Sequence, residues 1–171
     1  MVSERLINAL NDQYNFELYS AHIYIAMAAY FEEQDLEGFA NFFKVQEQEE
    51  RFHASKFYTY IAEKNGRIKV EGIPTPENEY DSILDVFKKA LEHEHKVTAR
   101  IYNLMNIAME EKEHATVSFL KWFVDEQTEE EATFNKIIKK LERIKDDPNG
   151  IYMLDAELAQ RVFTPPVNTN A

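Results

Sequence analysis

The chain has 171 residues, 44% of them hydrophobic and 29% charged, enough for both a packed core and a soluble surface. Its four glycines and five prolines are too few for a turn-rich sandwich or barrel, since glycine usage averages about 7%; the absence of cysteine rules out a disulfide framework, a thiolate zinc site and cysteine nucleophiles. A formal net charge of −12 speaks against nucleic acid, whose binders work by neutralising phosphates, and favours cations as partners or simply serves solubility.

In chain order, spacings of three and four predict a first helix over 4–34, capped by Ser3 and carrying Leu10, Tyr14, Ala21, Tyr24, Ala28 and Phe31 on one face. Its uninterrupted apolar run, Ile23 to Phe31, is about half of what a membrane span needs. The N-terminal residues also lack the apolar stretch of an export signal. The expectation is a cytoplasmic protein with no membrane contact. A turn at Gln34–Leu36 leads to a second helix over 37–65, with Phe39, Phe43, Gln46, Phe57 and Tyr60 in phase and Gly66 as its stop.

Residues 66–79 have no helical period and contain Gly72, Pro74 and Pro76. A helix of about 28 residues is about 42 Å long at 1.5 Å per residue. About fifteen extended residues reach about 50 Å, so this connection can run the length of a bundle, whereas an antiparallel neighbour needs only a short loop. A third helix follows over 80–109, with Leu84, Phe87, Leu91, Thr98, Ile101, Met105 and Ala108 in phase. The turn at Glu110–His114 opens a fourth over 114–145, with Leu120, Phe123, Phe134, Ile137 and Leu141. Pro148-Asn149-Gly150 reads as its stop, 150–161 as a short fifth helix, and 164–167 as a tail. The expected fold is all-α, one domain over 1–171, a four-helix bundle with a single long crossover.

Each apolar stripe is broken at mid-length by polar residues in the core phase: Glu17; Glu50 and His53; Glu94; Gln127 and Glu130. Glu-x-x-His occurs three times, at Glu50/His53, Glu92/His95 and Glu111/His114, but only the first pair replaces apolar residues. The second flanks its stripe and the third lies in a turn, so both read as solvated. Burying unpaired anions costs several kcal/mol each, roughly, even after relaxation. No lysine or arginine stands at a matching place in the stripes, and two divalent cations would balance the four glutamates. An oxygen-rich set with one imidazole suits iron(II) or manganese better than structural zinc.

Glu17 and Tyr24, Glu49-Glu50-Arg51-Phe52-His53, Glu94, and Asp125-Glu126-Gln127 with Glu129-Glu130 resemble the non-haem ferritins of bacteria, and the likeness covers essentially the whole chain. The resemblance implies a ferritin-like bundle and a hollow twenty-four-subunit shell that oxidises iron(II) with dioxygen or hydrogen peroxide and stores ferric mineral. It also implies that Glu17, Glu50 and His53 hold one iron and that Glu50, Glu94 and Glu130 hold the second. Glu50 then bridges the two, with Gln127 close by and Tyr24 beside the centre. Glu49, Glu126 and Glu129, sharing Glu130, match the family's third iron position on the cavity side.

Departures narrow the family. Bacterioferritins repeat Glu-x-x-His on the fourth helix, where this chain has Gln127 and Glu130, and they grip haem with a methionine where this chain has Arg51. No haem is expected. Animal ferritins line an iron-entry pore with acids at two positions that are Val117 and Leu120 here. The competing readings are a di-iron or di-manganese oxidase or peroxidase on the same bundle without storage, and a metal-free helical scaffold. A rubrerythrin-like version would need cysteines.

Overall fold

A computed structural model describes residues 2–165; part of the expected tail, from Pro166 on, lies outside them. Five helices follow in order: α1 Glu4–Glu32, α2 Glu37–Glu63, α3 Ile83–Glu110, α4 His114–Ile144 and α5 Pro148–Leu158. Ser3 caps α1 by accepting from the Leu6 N–H, and Ser82 caps α3 by accepting from that of Asp85. The hydroxyl of Ser82 therefore sets the start of α3 at Ile83, three residues later than the period alone suggests.

The helix ends also differ from the expected ones. α1, α2 and α3 each finish on a left-handed residue, Asp35, Asn65 and Lys112 with φ 56°, 57° and 55°. In each case that residue's own N–H and the next one close back on the last turn, as in Asn65 N–H to Ala62 O at 2.9 Å and Gly66 N–H to Ile61 O at 2.9 Å. Thus Asn65, not Gly66, takes the strained position, and α2 stops at Glu63. Pro148 opens α5 instead of ending α4. Its missing N–H falls at a helix start, where no partner is needed, and Asp147 caps the new helix. α5 therefore runs from 148 to 158, not from 150 to 161.

α1 and α2 pair antiparallel, as do α3 and α4, and the connection between α2 and α3 runs alongside α1. Asn11 Nδ2 donates to Arg67 O at 2.9 Å and Asn15 Nδ2 to Lys69 O at 2.9 Å, while Tyr80 reaches Tyr30 at the far end. The crossover thus travels the bundle, and α2 and α3 are parallel. α5 folds back over the start of α2, whose own N-cap, Leu36, supplies no side chain. Asp155 of α5 accepts from the Phe39 N–H at 3.0 Å in its place. This contact needs Gly38, because a Cβ there would sit 1.7 Å from Asp155 O.

The core is two apolar lobes. One is aromatic, built on Phe31, Phe39, Phe42, Phe43, Phe87 and Phe134, with Leu154 and Leu158 of α5 closing it. The other contains Leu6, Leu10, Phe57, Ile61, Ile101, Leu104, Leu120 and Phe123. The stripes of α1, α2 and α4 are buried as expected. On α3 the buried line is instead Val86, Phe87, Ala90, Glu94, Val97, Ile101, Leu104 and Ala108. Leu84, Leu91, Thr98 and Met105 are only partly buried. An apolar stripe spans about 100° or more of a helix, so these residues, seven apart, fall along its margin while Phe87, Ile101 and Ala108 of the same line lie inside it. No described helix is long and apolar enough to cross a membrane.

Candidate metal centre

Between the lobes lies a layer in which every helix of the bundle contributes a carboxylate. Glu17, Glu50 and Glu94 are fully buried, and Glu130 and His53 nearly so. The 3.6-residue period that put them in phase with the apolar stripes also makes them converge. Glu17, Glu50 and His53 each offer a ligand atom within 4.8 Å of the others, and a second such group is His53, Glu126 and Glu130.

The partners of these carboxylates are specific. Gln13 Nε2 donates to Glu17 Oε1 at 2.8 Å, Gln46 Nε2 to Glu130 Oε2 at 2.7 Å, and Gln127 Nε2 to Glu94 Oε2 at 3.0 Å. The Tyr24 hydroxyl donates to Glu94 Oε1. His53 Nδ1 lies 3.3 Å from Glu50 Oε2. Glu17 Oε2 and Glu50 Oε1 are buried with no donor from any other described residue, the two carboxyl groups lying within hydrogen-bond reach of each other. A buried carboxylate oxygen without a donor costs free energy unless a cation completes it.

Burial dominates the electrostatics. It pushes Glu17 up to about 7 against the opposing pull of Gln13, and Glu94 up to about 7 against the hydrogen bonds from Tyr24 and Gln127. Glu50 is raised further by burial and then by the neighbouring charges of Glu94, Glu17 and Glu130. Glu130 is raised by burial and then by Glu94 and Glu49. His53 is driven down to about 3 by burial and by Lys56, so its imidazole is neutral at ordinary pH, the form that ligates metals.

The structure brings together Glu17, Glu50, His53, Glu94, Gln127, Glu130 and Tyr24. Of the outer acids, Glu126 lies 3.9 Å from His53 Nε2 and joins it and Glu130 in the second group, Glu129 is exposed, and Glu49 is paired with Arg161 at 2.7 Å. Glu92 and His95 are exposed, and Glu111 accepts from the Ser3 hydroxyl, so neither pair joins the layer. Arg51 sits on the solvent face beside Glu47.

Several residues that shape the layer carry no role in the sequence reading. Gln13 and Gln46 stand one turn before Glu17 and Glu50, and that spacing is the signal that finds them. Arg100, on α3, and Arg161, beyond the end of α5, meet Gln13 and Glu49 on other helices and have no local signature. His93, also without a role there, is buried 2.7 Å from Ser20 Oγ, stacks on Phe16 and meets the Tyr24 ring edge-on.

A ferritin-like domain model matches residues 7–144. The chain belongs to the ferritin family, the iron-storage proteins. It is 50% identical over 163 residues to a bacterial non-heme ferritin of Staphylococcus haemolyticus, covering 95% of this chain and 98% of that one. The corresponding ferritin of Staphylococcus aureus is 48% identical over the same span. Among solved structures it is similar to a closed form of the Archaeoglobus fulgidus ferritin made by site-directed mutagenesis, with TM-score 0.95, 45% identity, and 96% and 100% of the two chains covered. The open-pore ferritin of the same archaeon gives 0.94 at 44% identity, covering 95% and 100%. The α-helical bundle with one crossover and a short fifth helix is thus the ferritin fold.

Proposed function

We propose that the polar layer is a ferroxidase centre, with iron(II) as its substrate, in a subunit of a hollow twenty-four-subunit cytoplasmic shell that stores the oxidised product. The observation that carries this reading is the pair of buried, unpartnered oxygens, Glu17 Oε2 and Glu50 Oε1, beside a neutral His53. Glu17, Glu50 and His53 take one iron; Glu50, Glu94 and Glu130 take the other, with Glu50 bridging. Four carboxylates and two divalent ions then sum to zero inside the bundle, which removes the burial penalty.

Two iron(II) ions each give up one electron. Dioxygen takes both, with two protons, and leaves as hydrogen peroxide; where peroxide is the oxidant it takes two electrons and two protons to become two waters. The chain's own part is to hold the ions side by side and keep the ligands oriented. Tyr24 holds Glu94 through its hydroxyl, and Gln127 does so through its amide nitrogen, so Gln127 acts on the site as a donor to a ligand. Glu49, Glu126 and Glu129, with Glu130, receive a third iron on its way to the mineral, and for that Arg161 has to leave Glu49.

Anaerobic titration should saturate at two tightly held iron(II) ions per subunit. In stopped-flow oxidation, Glu50→Ala and His53→Ala should lose the fast phase while the shell stays intact by light scattering. A normal fast phase in Glu50→Ala would remove the bridging assignment. A particle that sediments as a dimer would favour an oxidase without storage.

A further inference from the structure

Three of the four buried glutamates are held in one way, by the amide nitrogen of a glutamine: Gln13 on Glu17, Gln46 on Glu130 and Gln127 on Glu94. Glu50 has no such tether, in keeping with a ligand that needs both oxygens. A glutamine amide has a donor end and an acceptor end, and only the donor end stabilises a carboxylate. Something must fix which end faces the site. For Gln127, Nε2 is also within reach of Thr98 Oγ1 at 3.2 Å. For Gln46, Oε1 is buried without a partner.

Gln13 alone is fixed by a charged group. Its Oε1 accepts from Arg100 Nε at 3.0 Å. A guanidinium has only donors, so a flipped amide would set donor against donor there and oxygen against carboxylate at Glu17. Arg100 is itself anchored: its Nη2 donates to Asp12 Oδ2 at 2.5 Å and to Asp12 O at 3.3 Å, and its plane lies 4.0 Å over the Phe16 ring. A chain of contacts thus runs from the exposed Asp12 through Arg100 and Gln13 to Glu17 in the core. Its result is that one oxygen of Glu17 is tied and the other is left free.

We propose that Arg100 is a positioning residue for the metal centre: through Gln13 it fixes Glu17 as a ligand that offers a single oxygen. This rests on the reading of the layer as a metal site. Groups that orient a ligand from behind commonly change metal affinity by about 10–100-fold when removed, and the same range applies here.

Zinc(II), which is redox-inert, reads the effect without the oxidation chemistry. Calorimetric titration of the metal-stripped shell should be run on the parent, Arg100→Met, Gln13→Leu and the double variant at one pH. Arg100 borders a cleft of about 200 Å³; methionine keeps an aliphatic stem over Phe16 and removes the donors together with the positive charge, which Arg100→Lys retains. We expect the tightest zinc site to weaken by about tenfold or more in each single variant, with the double no weaker than either, since the two residues act as one unit. Arg100→Lys, which restores one donor and folds without a cavity, should recover part of the loss. Unchanged zinc affinity in Arg100→Met with a lowered melting temperature would make Arg100 structural and overturn the proposal, as would a double variant whose losses add. A parent that binds no zinc in the layer would instead overturn the reading of the centre itself.

Discussion

The apolar lobes and the polar layer between them are built on the same four helices, by the same period, toward opposite ends. In the lobes every buried side chain adds to stability, as with Phe31, Phe43, Phe87 and Phe134 packed ring against ring at centroid separations of 5.0 to 6.3 Å. In the layer, one or two turns away, the same phase buries four carboxyl groups whose charged forms are disfavoured there. A chain selected for folding alone would have continued the lobes across the gap. Glutamine donors meet part of the layer's need, and the proposed iron ions would meet the rest.

The sharpest break in this comparison comes from exchanging the two kinds of site. Phe134→Ala should cost roughly 3–5 kcal/mol of stability by opening a cavity in the aromatic lobe, read in chemical denaturation, yet leave the layer's ligands in place. Glu50→Ala should do the reverse, removing fast iron oxidation altogether with little loss of stability in the metal-free protein. If Glu50→Ala proves as destabilising as Phe134→Ala, the layer is a structural network.

A smaller effect follows from pH. Glu17 and Glu94 have folded-state pKa values raised to about 7 from an ordinary 4.5. A raised carboxyl favours the folded state while it holds its proton, so that contribution is present below about pH 4.5 and is lost as the pH climbs through about 7. Metal-stripped protein should therefore lose melting temperature from about pH 5 to about pH 7, less so in Glu17→Gln, while zinc affinity rises over the same range as protons leave the ligands. Identical slopes in parent and variant would remove Glu17 from the account. The smallest effect concerns the outer acids. Arg161→Ala frees Glu49 from its 2.7 Å partner, so a third zinc ion should bind a few-fold more tightly, leaving the first two unchanged. No change in the third would mean that Glu49 takes no part in it.

Much of this architecture was legible in the sequence because it rests on period and phase. The stripes of α1, α2 and α4 and the four glutamates in core phase on the four helices are local patterns, and the length of the crossover carries the parallel direction of α2 and α3. What was not legible depends on geometry between distant segments. Asp35, Asn65 and Lys112 end helices in a conformation that glycine usually supplies, so composition pointed one residue late, to Gly66. Asp155 caps α2 from α5 across more than a hundred residues. Arg100 and Arg161 arrive at the layer from elements whose orientation no window of sequence reveals. On α3 the apolar band is wide enough that two lines of spacing fitted, and the packing of α3 between α1 and α4 selected the other one.

The central claim is that the layer is maintained for metal at the expense of the metal-free fold. Its most direct test is a thermal melt of metal-stripped parent against Glu17→Gln/Glu130→Leu, at one pH and one protein concentration. The variant removes two buried acids and adds apolar volume, an exchange that is often neutral or stabilising by roughly 1–4 kcal/mol. The account predicts a variant that is inactive, gains nothing from zinc, and melts at or above the parent. A variant that melts clearly lower would make the glutamates anchors of a satisfied network and contradict it.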